Sequence, residues 1–239
     1  MSAGPKQAAK EVLAGQPQAA ARRWLGPTVL VMLALFALDT VLVVTHVLLT
    51  PFDIPIATLV QSINWGPLVY AFQLINVSAG IWQVLVGAVA VVGMFIFERR
   101  AGWLMMIGSL SSLFDNIIKL LISRQRPPSD LVHILTPATG FSYPSGHAVF
   151  FTWVSFMVAV SIAPRIKPTL RPIPWIAAAL VIVLTCLARV WAGDHWPSDV
   201  LGGVLLGLGW SAFVLWLPER WLPSPSWRWF RGRSSPRPT

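Results

Sequence analysis

Two histidines in the second half of the chain stand where an imidazole could react with an anion. His195 comes four residues before Asp199, and Pro197 between them could begin a helix. In that arrangement the carboxylate would hold one ring nitrogen and leave the other free to attack phosphorus. A purely structural His–Asp pair at the start of a helix would have the same spacing, so this motif alone leaves both interpretations open.

The second histidine ends the run Tyr143-Pro144-Ser145-Gly146-His147, directly before a long apolar segment. A Pro- and Gly-rich turn that opens a helix leaves backbone N–H groups and the positive end of the helix dipole free to hold phosphate. The Ser145 hydroxyl would add a donor, and Gly146 would let the backbone approach the anion closely. His147 could then act as a general acid, or it could have a structural role only.

Three cations could complete an anion site. Lys119 and Arg126 are seven residues apart, and seven helical residues advance by about 700°. A helix that continues to Arg126 and stops at Pro127 would therefore place both cations on one face. Arg126 would offer a planar fork to phosphate oxygens and Lys119 a point charge, unless both only snorkel to lipid headgroups. Arg189, separated from His195 by five residues, is the third cation.

The remaining acidic residues do not suggest a metal or a cofactor. No His, Asp or Glu cluster has the spacing of a two-metal phosphatase, and the cations with a helix end would supply the charge stabilisation. We therefore predict a site without metal or cofactor. Asp115, one turn before Lys119, is predicted to form a structural ion pair, and Asp194 is interpreted as a solvated loop residue. Asp39 has no predicted role.

The elements that must hold these residues are membrane-spanning helices. Of the residues, 55% are hydrophobic and 11% charged, with a mean hydropathy of +0.66, which is typical of a membrane protein. Apolar runs of about 20 residues can cross a hydrocarbon core. Six such runs lie at about 27–49, 77–97, 102–121, 146–163, 173–191 and 200–217. The predicted fold is all-α, a polytopic membrane protein with a six-transmembrane-helix bundle.

The chain divides into two tails and one membrane domain. Residues 1–23 are predicted to be a disordered cytoplasmic tail, residues 24–218 the six-span domain, and residues 219–239 a basic cytoplasmic tail. Residues 51–65 have the spacing of a short amphipathic helix. Residues 66–97 are long for one span, so either a break near 76–80 or a single tilted helix is predicted.

The net charge of +9 does not indicate nucleic-acid binding, because the positions of the cations follow the predicted arrangement of the spans in the membrane. Of the 18 Lys and Arg residues, 14 lie before the first run or after the second, fourth and sixth, and therefore on one face. The positive-inside rule makes this face cytoplasmic. The other four lie on the outer face, where cations suggest an anion site; they are Lys119, Arg124, Arg126 and Arg189. The predicted partners are membrane lipids and a lipid phosphate; the oligomeric state is not indicated.

Taken together, the motifs resemble those of the type 2 phosphatidic acid phosphatase superfamily. Its pattern is Lys-x6-Arg-Pro, then Pro-Ser-Gly-His, then Ser-Arg-x5-His-x3-Asp, and the match covers about residues 100–210. Order, spacing and membrane placement all agree. One departure is Ala188, which stands where the pattern has Ser before Arg, so the rate or substrate preference is in question more than the chemistry.

The resemblance implies a six-helix core in which His195 forms a phosphohistidine and His147 protonates the leaving oxygen. It also implies that Lys119, Arg126 and Arg189 hold the phosphate. Family members of this size are typically bacterial inner-membrane enzymes that act on phosphatidic acid, phosphatidylglycerol phosphate or undecaprenyl pyrophosphate. A lipid phosphotransferase would use the same residues. A non-catalytic scaffold or transporter would be expected to have lost some of them.

Overall fold

The computed structural model describes the backbone of residues 5–218 and the side chains of residues 23–218. This part of the chain is helical, without a β-strand. Its α-helices are α1 (Pro5–Val44), α2 (Ile54–Ser62), α3 (Leu68–Val77), α4 (Ile81–Phe97), α5 (Arg99–Gly108), α6 (Ser111–Ile122), α7 (Gly146–Ile162), α8 (Pro172–Trp191) and α9 (Pro197–Trp216). The predicted amphipathic helix in residues 51–65 is confirmed as α2.

Most of these helices are built to cross a membrane. Among the described residues, five helical segments are long and apolar enough to do so: Arg23–Val44, Arg99–Ile122, Gly146–Arg165, Pro168–Trp191 and Pro197–Trp216. The pair α3 and α4, bent by 93°, makes a sixth if it is counted as one span. The chain is therefore an all-α, multi-pass membrane protein, as its apolar runs predict.

The bend between α3 and α4 decides a point that the sequence leaves open. The chain breaks at residues 78–80, where Gly80 has a φ of +58°, in the left-handed region that favours glycine. A break rather than one tilted helix thus connects the two segments. It allows α3 to pack against α8, while α4 runs at 93° to α3.

The beginning of the chain differs from the prediction. The helix α1 starts at Pro5, so residues 5–23 have a helical backbone where the sequence analysis expects none. The segment lacks apolar periodicity, but it is rich in Ala and Gln, which have high intrinsic helix propensity. Residues 219–239, the predicted basic tail, lie outside the described residues.

The packing centre of the fold is α7, which contacts both α8 and α9, while α1 packs along α9. Small residues bring α9 close to α7. A Cβ at Gly203 would lie 2.7 Å from Ala148 Cβ, and one at Gly207 would lie 2.8 Å from Thr152 Cβ. Small residues four apart are a common way for membrane helices to approach each other. This contact fixes the first turns of both helices, which carry predicted site residues.

The helix that carries Lys119 is shorter than predicted. It ends at Ile122, because Ser123 adopts a left-handed conformation (φ 51°) and its N–H bonds to Lys119 O at 2.9 Å. The prediction that this helix continues to Arg126 is therefore wrong. The next residue, Arg124, turns into buried ion pairs with Asp53 and Asp199, and those contacts favour an early end to the helix.

Candidate active site

A cavity of about 950 Å³ gathers most of the predicted site residues. It lies where the ends of α6, α7 and α8 meet the loop before α9. The predicted residues in its lining are Lys119, Arg126, Gly146, His147, Arg189 and His195. Ser145 and Asp199 are fully buried next to this lining. Residues more than seventy positions apart in the chain thus share one chamber, as an anion site requires.

His195 lies in the loop between α8 and α9, and it is almost fully buried. Its Nδ1 is 3.7 Å from Asp199 Oδ2, which is an ion-pair distance and too long for a hydrogen bond. Its Nε2 lies 3.5 Å from the Arg126 guanidinium. Burial lowers the pKa of His195 to about 3, although Asp199 opposes this shift. The imidazole is therefore neutral at physiological pH, as a nucleophile must be.

Asp199 is held in place from several sides. It lies in the first turn of α9, which begins at Pro197 as predicted. Its Oδ2 accepts a hydrogen bond from the backbone N–H of Trp196 (2.8 Å) and another from the Ser142 hydroxyl. Its Oδ1 accepts one from Arg124 at 2.5 Å. These bonds fix the carboxylate beside the ring of His195.

The start of α7 presents unpaired polar atoms to the cavity region. His147 Nε2 and Ser145 Oγ are both buried without a hydrogen-bond partner among the described residues. A buried polar group without a partner is unfavourable, and the oxygens of a bound anion would satisfy both atoms. A Cβ at Gly146 would lie 2.9 Å from Asp115 Oδ2 and 3.3 Å from Lys119 Nζ. Glycine therefore lets the helix start approach this ion pair.

Two of the three cations, Arg126 and Lys119, have partners of different kinds. Arg126 donates hydrogen bonds to backbone carbonyls, at 2.7 Å to Asp194 O and at 3.0 Å to Thr139 O. Carbonyls orient the guanidinium without neutralising its charge, so it remains available to an anion. Lys119 pairs with Asp115 at 2.5 Å. The predicted ion pair between these two residues is confirmed.

Asp194 is a site residue that the sequence analysis misassigned. It is almost fully buried, pairs with Arg189 at 2.7 Å and accepts a hydrogen bond from the Thr136 hydroxyl at 3.0 Å. Burial raises the pKa of Asp194, and Arg189 opposes that shift. The interpretation as a solvated loop residue is therefore wrong. Its place five residues after an arginine at a helix end was the one available signal.

Arg124 and Asp53 were also missed as part of the site's support. Arg124 donates to Asp53 Oδ2 at 2.6 Å and to Ser198 Oγ at 2.7 Å, in addition to its bond to Asp199. Asp53 is fully buried and accepts the Ser198 backbone N–H at 2.9 Å. Burial alone would lower the pKa of Arg124, but Asp199 and Asp53 together raise it. This network joins the turn before α2 to the start of α9.

Asp39, which has no predicted role, lies against the loop that precedes α7. The Tyr143 hydroxyl donates to Asp39 Oδ2 at 2.9 Å, and the Thr40 hydroxyl lies 2.8 Å from the same tyrosine oxygen. The carboxyl group inside the first span thus has a hydrogen-bond donor on one oxygen. It ties α1 to the segment that carries Ser145 and His147.

Comparison with known proteins places this architecture in a family. The family model of the PAP2 superfamily matches residues 100–223, which is more than half of the chain and includes all eight predicted site residues. The chain belongs to the PAP2 superfamily. The resemblance inferred from the three motifs is thereby confirmed.

Two PAP2 relatives have names that state an activity. The phosphatidylglycerophosphatase B of Bacillus subtilis (strain 168) is 33% identical over 131 residues, which are 52% of this chain and 60% of that protein. The undecaprenyl-diphosphatase of Sulfolobus acidocaldarius is 29% identical over 135 residues, which are 55% and 61% of the two chains. The chain thus aligns with about three fifths of the length of each relative.

A solved PAP2 structure has the same fold. The crystal structure of a transmembrane PAP2 type phosphatidylglycerolphosphate phosphatase from Bacillus subtilis superposes with a TM-score of 0.67 at 24% identity. The superposition covers 78% of this chain and 94% of the other. At this identity the likeness extends to the fold, including the multi-pass helical architecture.

Proposed function

We propose that this PAP2 member hydrolyses a lipid phosphate or pyrophosphate at the outer side of a bacterial inner membrane, without a metal ion and through a phosphohistidine. The observation that carries the proposal is the shared cavity. His195 and His147 both line it, together with Lys119, Arg126 and Arg189. Two imidazoles beside three cations suit the transfer of a phosphoryl group better than they suit binding alone.

In the proposed first step, a ring nitrogen of neutral His195 attacks the phosphorus of the substrate. The P–N bond forms as the bond from phosphorus to the leaving oxygen breaks. Asp199, 3.7 Å from Nδ1, stabilises the positive charge that develops on the ring. His147 donates a proton to the leaving oxygen. The leaving group is then a lipid alcohol if the substrate is a monoester, or a protonated lipid monophosphate if it is a pyrophosphate.

In the second step, water attacks the phosphohistidine and releases inorganic phosphate. His147, now lacking its proton, takes one from this water and is restored, while the P–N bond breaks and His195 regains its lone pair. The three cations and the unpaired donors at the start of α7 stabilise the equatorial oxygens through both steps. The same intermediate would serve a phosphotransferase if a lipid alcohol replaced water.

The proposal of a lipid substrate rests on where the site lies. The cavity is lined by residues of α4, α6 and α7, which include Val84, Val91 and Phe150. These apolar side chains would contact the tail of a substrate whose phosphate sits among the cations. The names of the two relatives, a phosphatidylglycerophosphatase and an undecaprenyl-diphosphatase, support a lipid phosphate but leave its tail and phosphate number open.

Phosphate release by the purified protein tests the proposal. We expect release in the presence of a chelator from a long-chain lipid phosphate in mixed micelles. We expect a much lower kcat/KM with a short-chain analogue or p-nitrophenyl phosphate, because neither is positioned by the membrane. Equal values for the three substrates would contradict a lipid substrate, and no release from a broad panel of lipids would contradict the phosphatase.

A further inference from the structure

The cavity continues well below the phosphate site, along a polar face of the helix that carries Lys119. Ser112 and Asn116 of α6 line it together with Lys119, at separations of four and three residues, and Ser109 between α5 and α6 lines it as well. At about 1.5 Å per residue, Asn116 lies roughly 4–5 Å below Lys119 and Ser112 roughly 10 Å below it. Hydroxyl and amide groups therefore follow the phosphate site toward the membrane interior.

Residues of α4 line the same cavity. Gln83 lines the cavity together with Gly80 and Gly87, and the space around the missing Cβ of Gly80 is open within 4 Å. Among the described residues no group forms a hydrogen bond with the Gln83 amide. On α6, Asn116 Nδ2 donates to Ser112 O at 2.8 Å, which leaves its Oδ1 and one N–H unused. Amides at this depth are unfavourable unless water or a polar ligand meets them.

We infer that Gln83 and Asn116 form a subsite for the ester-linked glycerol of a diacyl lipid phosphate, so that this chain prefers glycerolipid phosphates to isoprenoid phosphates. The inference rests on the proposed function, because it places the substrate phosphate among Lys119, Arg126 and Arg189. In a diacylglycerol phosphate, ester oxygens follow the phosphate within a few bonds. The Asn116 amide, one turn below Lys119, and the Gln83 amide in the same cavity offer N–H donors that are suited to these acceptors.

An isoprenoid phosphate fits the same region less well. Its chain is hydrocarbon from the first carbon after the phosphate, so it would cover the two amides and leave them without partners. A site built to hydrogen-bond its substrate discriminates against an analogue that lacks the bonding group. Deeper in the cavity Val91, Phe150 and Trp153 offer apolar contacts, which suit either kind of chain and give no discrimination.

The test uses three monophosphates with the purified full chain in mixed micelles: dioleoyl phosphatidic acid, its dialkyl ether analogue, which lacks the ester carbonyls, and farnesyl phosphate. The variants are Gln83→Met, Asn116→Leu and the double variant. Gln73→Met is the matched control, because Gln73 is an exposed glutamine of α3 that does not line the cavity. The readout is kcat/KM for each substrate.

We expect wild-type protein and Gln73→Met to prefer the diester over both other substrates. A neutral hydrogen bond corresponds to about a fivefold change, so each single variant should lose about fivefold on the diester and the double variant about 20-fold. Activity on farnesyl phosphate should be retained or rise, because the apolar replacements remove the cost of covering two amides with hydrocarbon. In the double variant the advantage of the diester over its ether analogue should disappear.

Two results would overturn the inference while the proposed function stands. One is a wild-type enzyme that hydrolyses these lipids with no preference for the diester, or with a preference that both single variants leave intact. The other is an equal loss on all three substrates, which would indicate that the amides solvate the cavity or support the fold. Failure of the wild type to release phosphate from any of the three would instead overturn the proposed function, and the inference with it.

Discussion

At the scale of single residues, the two histidines differ in what surrounds them. His195 lies between Asp199 and Arg126, whereas His147 Nε2 is buried without a partner among the described residues. A ring beside a carboxylate is suited to nucleophilic attack, because the carboxylate stabilises the positive charge that develops on the ring, and the unpaired Nε2 of His147 is suited to meet a leaving group. The surroundings therefore support separate roles for the two rings.

Replacing the histidines one at a time should separate these roles. We expect His195→Ala to abolish turnover and to prevent trapping of a phosphoenzyme from a labelled lipid phosphate. We expect His147→Ala to lower kcat by about 10²–10⁴-fold, the usual contribution of a general acid. His133→Ala is the control, because this histidine is exposed and lies outside the cavity. Wild-type turnover in His195→Ala would rule out the phosphohistidine.

The acid side of the pH profile should reflect the burial of His195. An ordinary histidine has a pKa of about 6.5, but burial lowers that of His195 to about 3. The reactive neutral form is therefore fully present at pH 7 and is lost only as the pH falls toward the lowered pKa. Between pH 7 and pH 5, kcat/KM corrected for the ionisation of the substrate phosphate should not fall by more than about threefold, whereas protonation of the general acid His147 would raise it. A corrected loss of activity toward acid pH with a midpoint near 6.5 would contradict this.

At the scale of elements, Arg124 connects three segments that are distant in the sequence. It follows α6, and it binds Asp53 in the turn before α2 as well as Asp199 and Ser198 in the first turn of α9. The two carboxylates that it pairs are both fully buried. The single positive charge of Arg124 therefore offsets part of the negative charge of these two buried carboxylates, and the cation helps to place Asp199 beside His195.

Removing this cation should affect both stability and activity. Breaking a buried ion pair by deleting one partner typically destabilises a protein by about 3–5 kcal/mol. We expect Arg124→Met to lower the Tm in detergent by several degrees or more and to reduce kcat at least tenfold. The control is Arg165→Met, because its partner Glu98 forms a partly exposed pair and such pairs contribute about 0–1 kcal/mol. Equal Tm values for the two variants would contradict the assigned role.

At the scale of the whole molecule, the candidate site is confined to one end of the helix bundle. The loops that carry Arg126 and His195 meet at the same cavity, at the ends of α6 and α8. The chain segments that carry 14 of its 18 Lys and Arg residues lie beyond the other ends of the predicted spans. By the positive-inside rule, the cavity end should face outward and both termini should be cytoplasmic.

Cysteine labelling in intact cells would test this orientation. The chain has one cysteine, Cys186, which a Cys186→Ala background removes. An impermeant maleimide should label Ser129→Cys, in the loop after Arg126, without permeabilisation. It should label Lys167→Cys, between α7 and α8, only after the membrane is opened. The reverse pattern would place the site in the cytoplasm.

The sequence by itself determined most of the spans and the histidines and cations proposed for the site, because both are local signals. An apolar run must be about 20 residues long to cross a bilayer, and the motif residues keep fixed spacings around His147 and His195. The beginning of α9 at Pro197 was predictable for the same reason, since proline suits the first turn of a helix. The pair of Asp115 with Lys119 could be read from a separation of four residues.

Only the tertiary structure decided which partners the other charged groups take. Asp39 pairs with Tyr143 across 104 positions, and Arg124 meets Asp53 across 71 and Asp199 across 75. Spacing along one helix contains no information on such pairs, because they depend on how different helices pack. The end of α6 at Ile122, next to Arg124, and the burial of Asp194, which accepts from Thr136 across 58 positions, also depend on contacts between distant segments. In a membrane bundle a buried charge must find a partner, and helix packing determines which one is within reach.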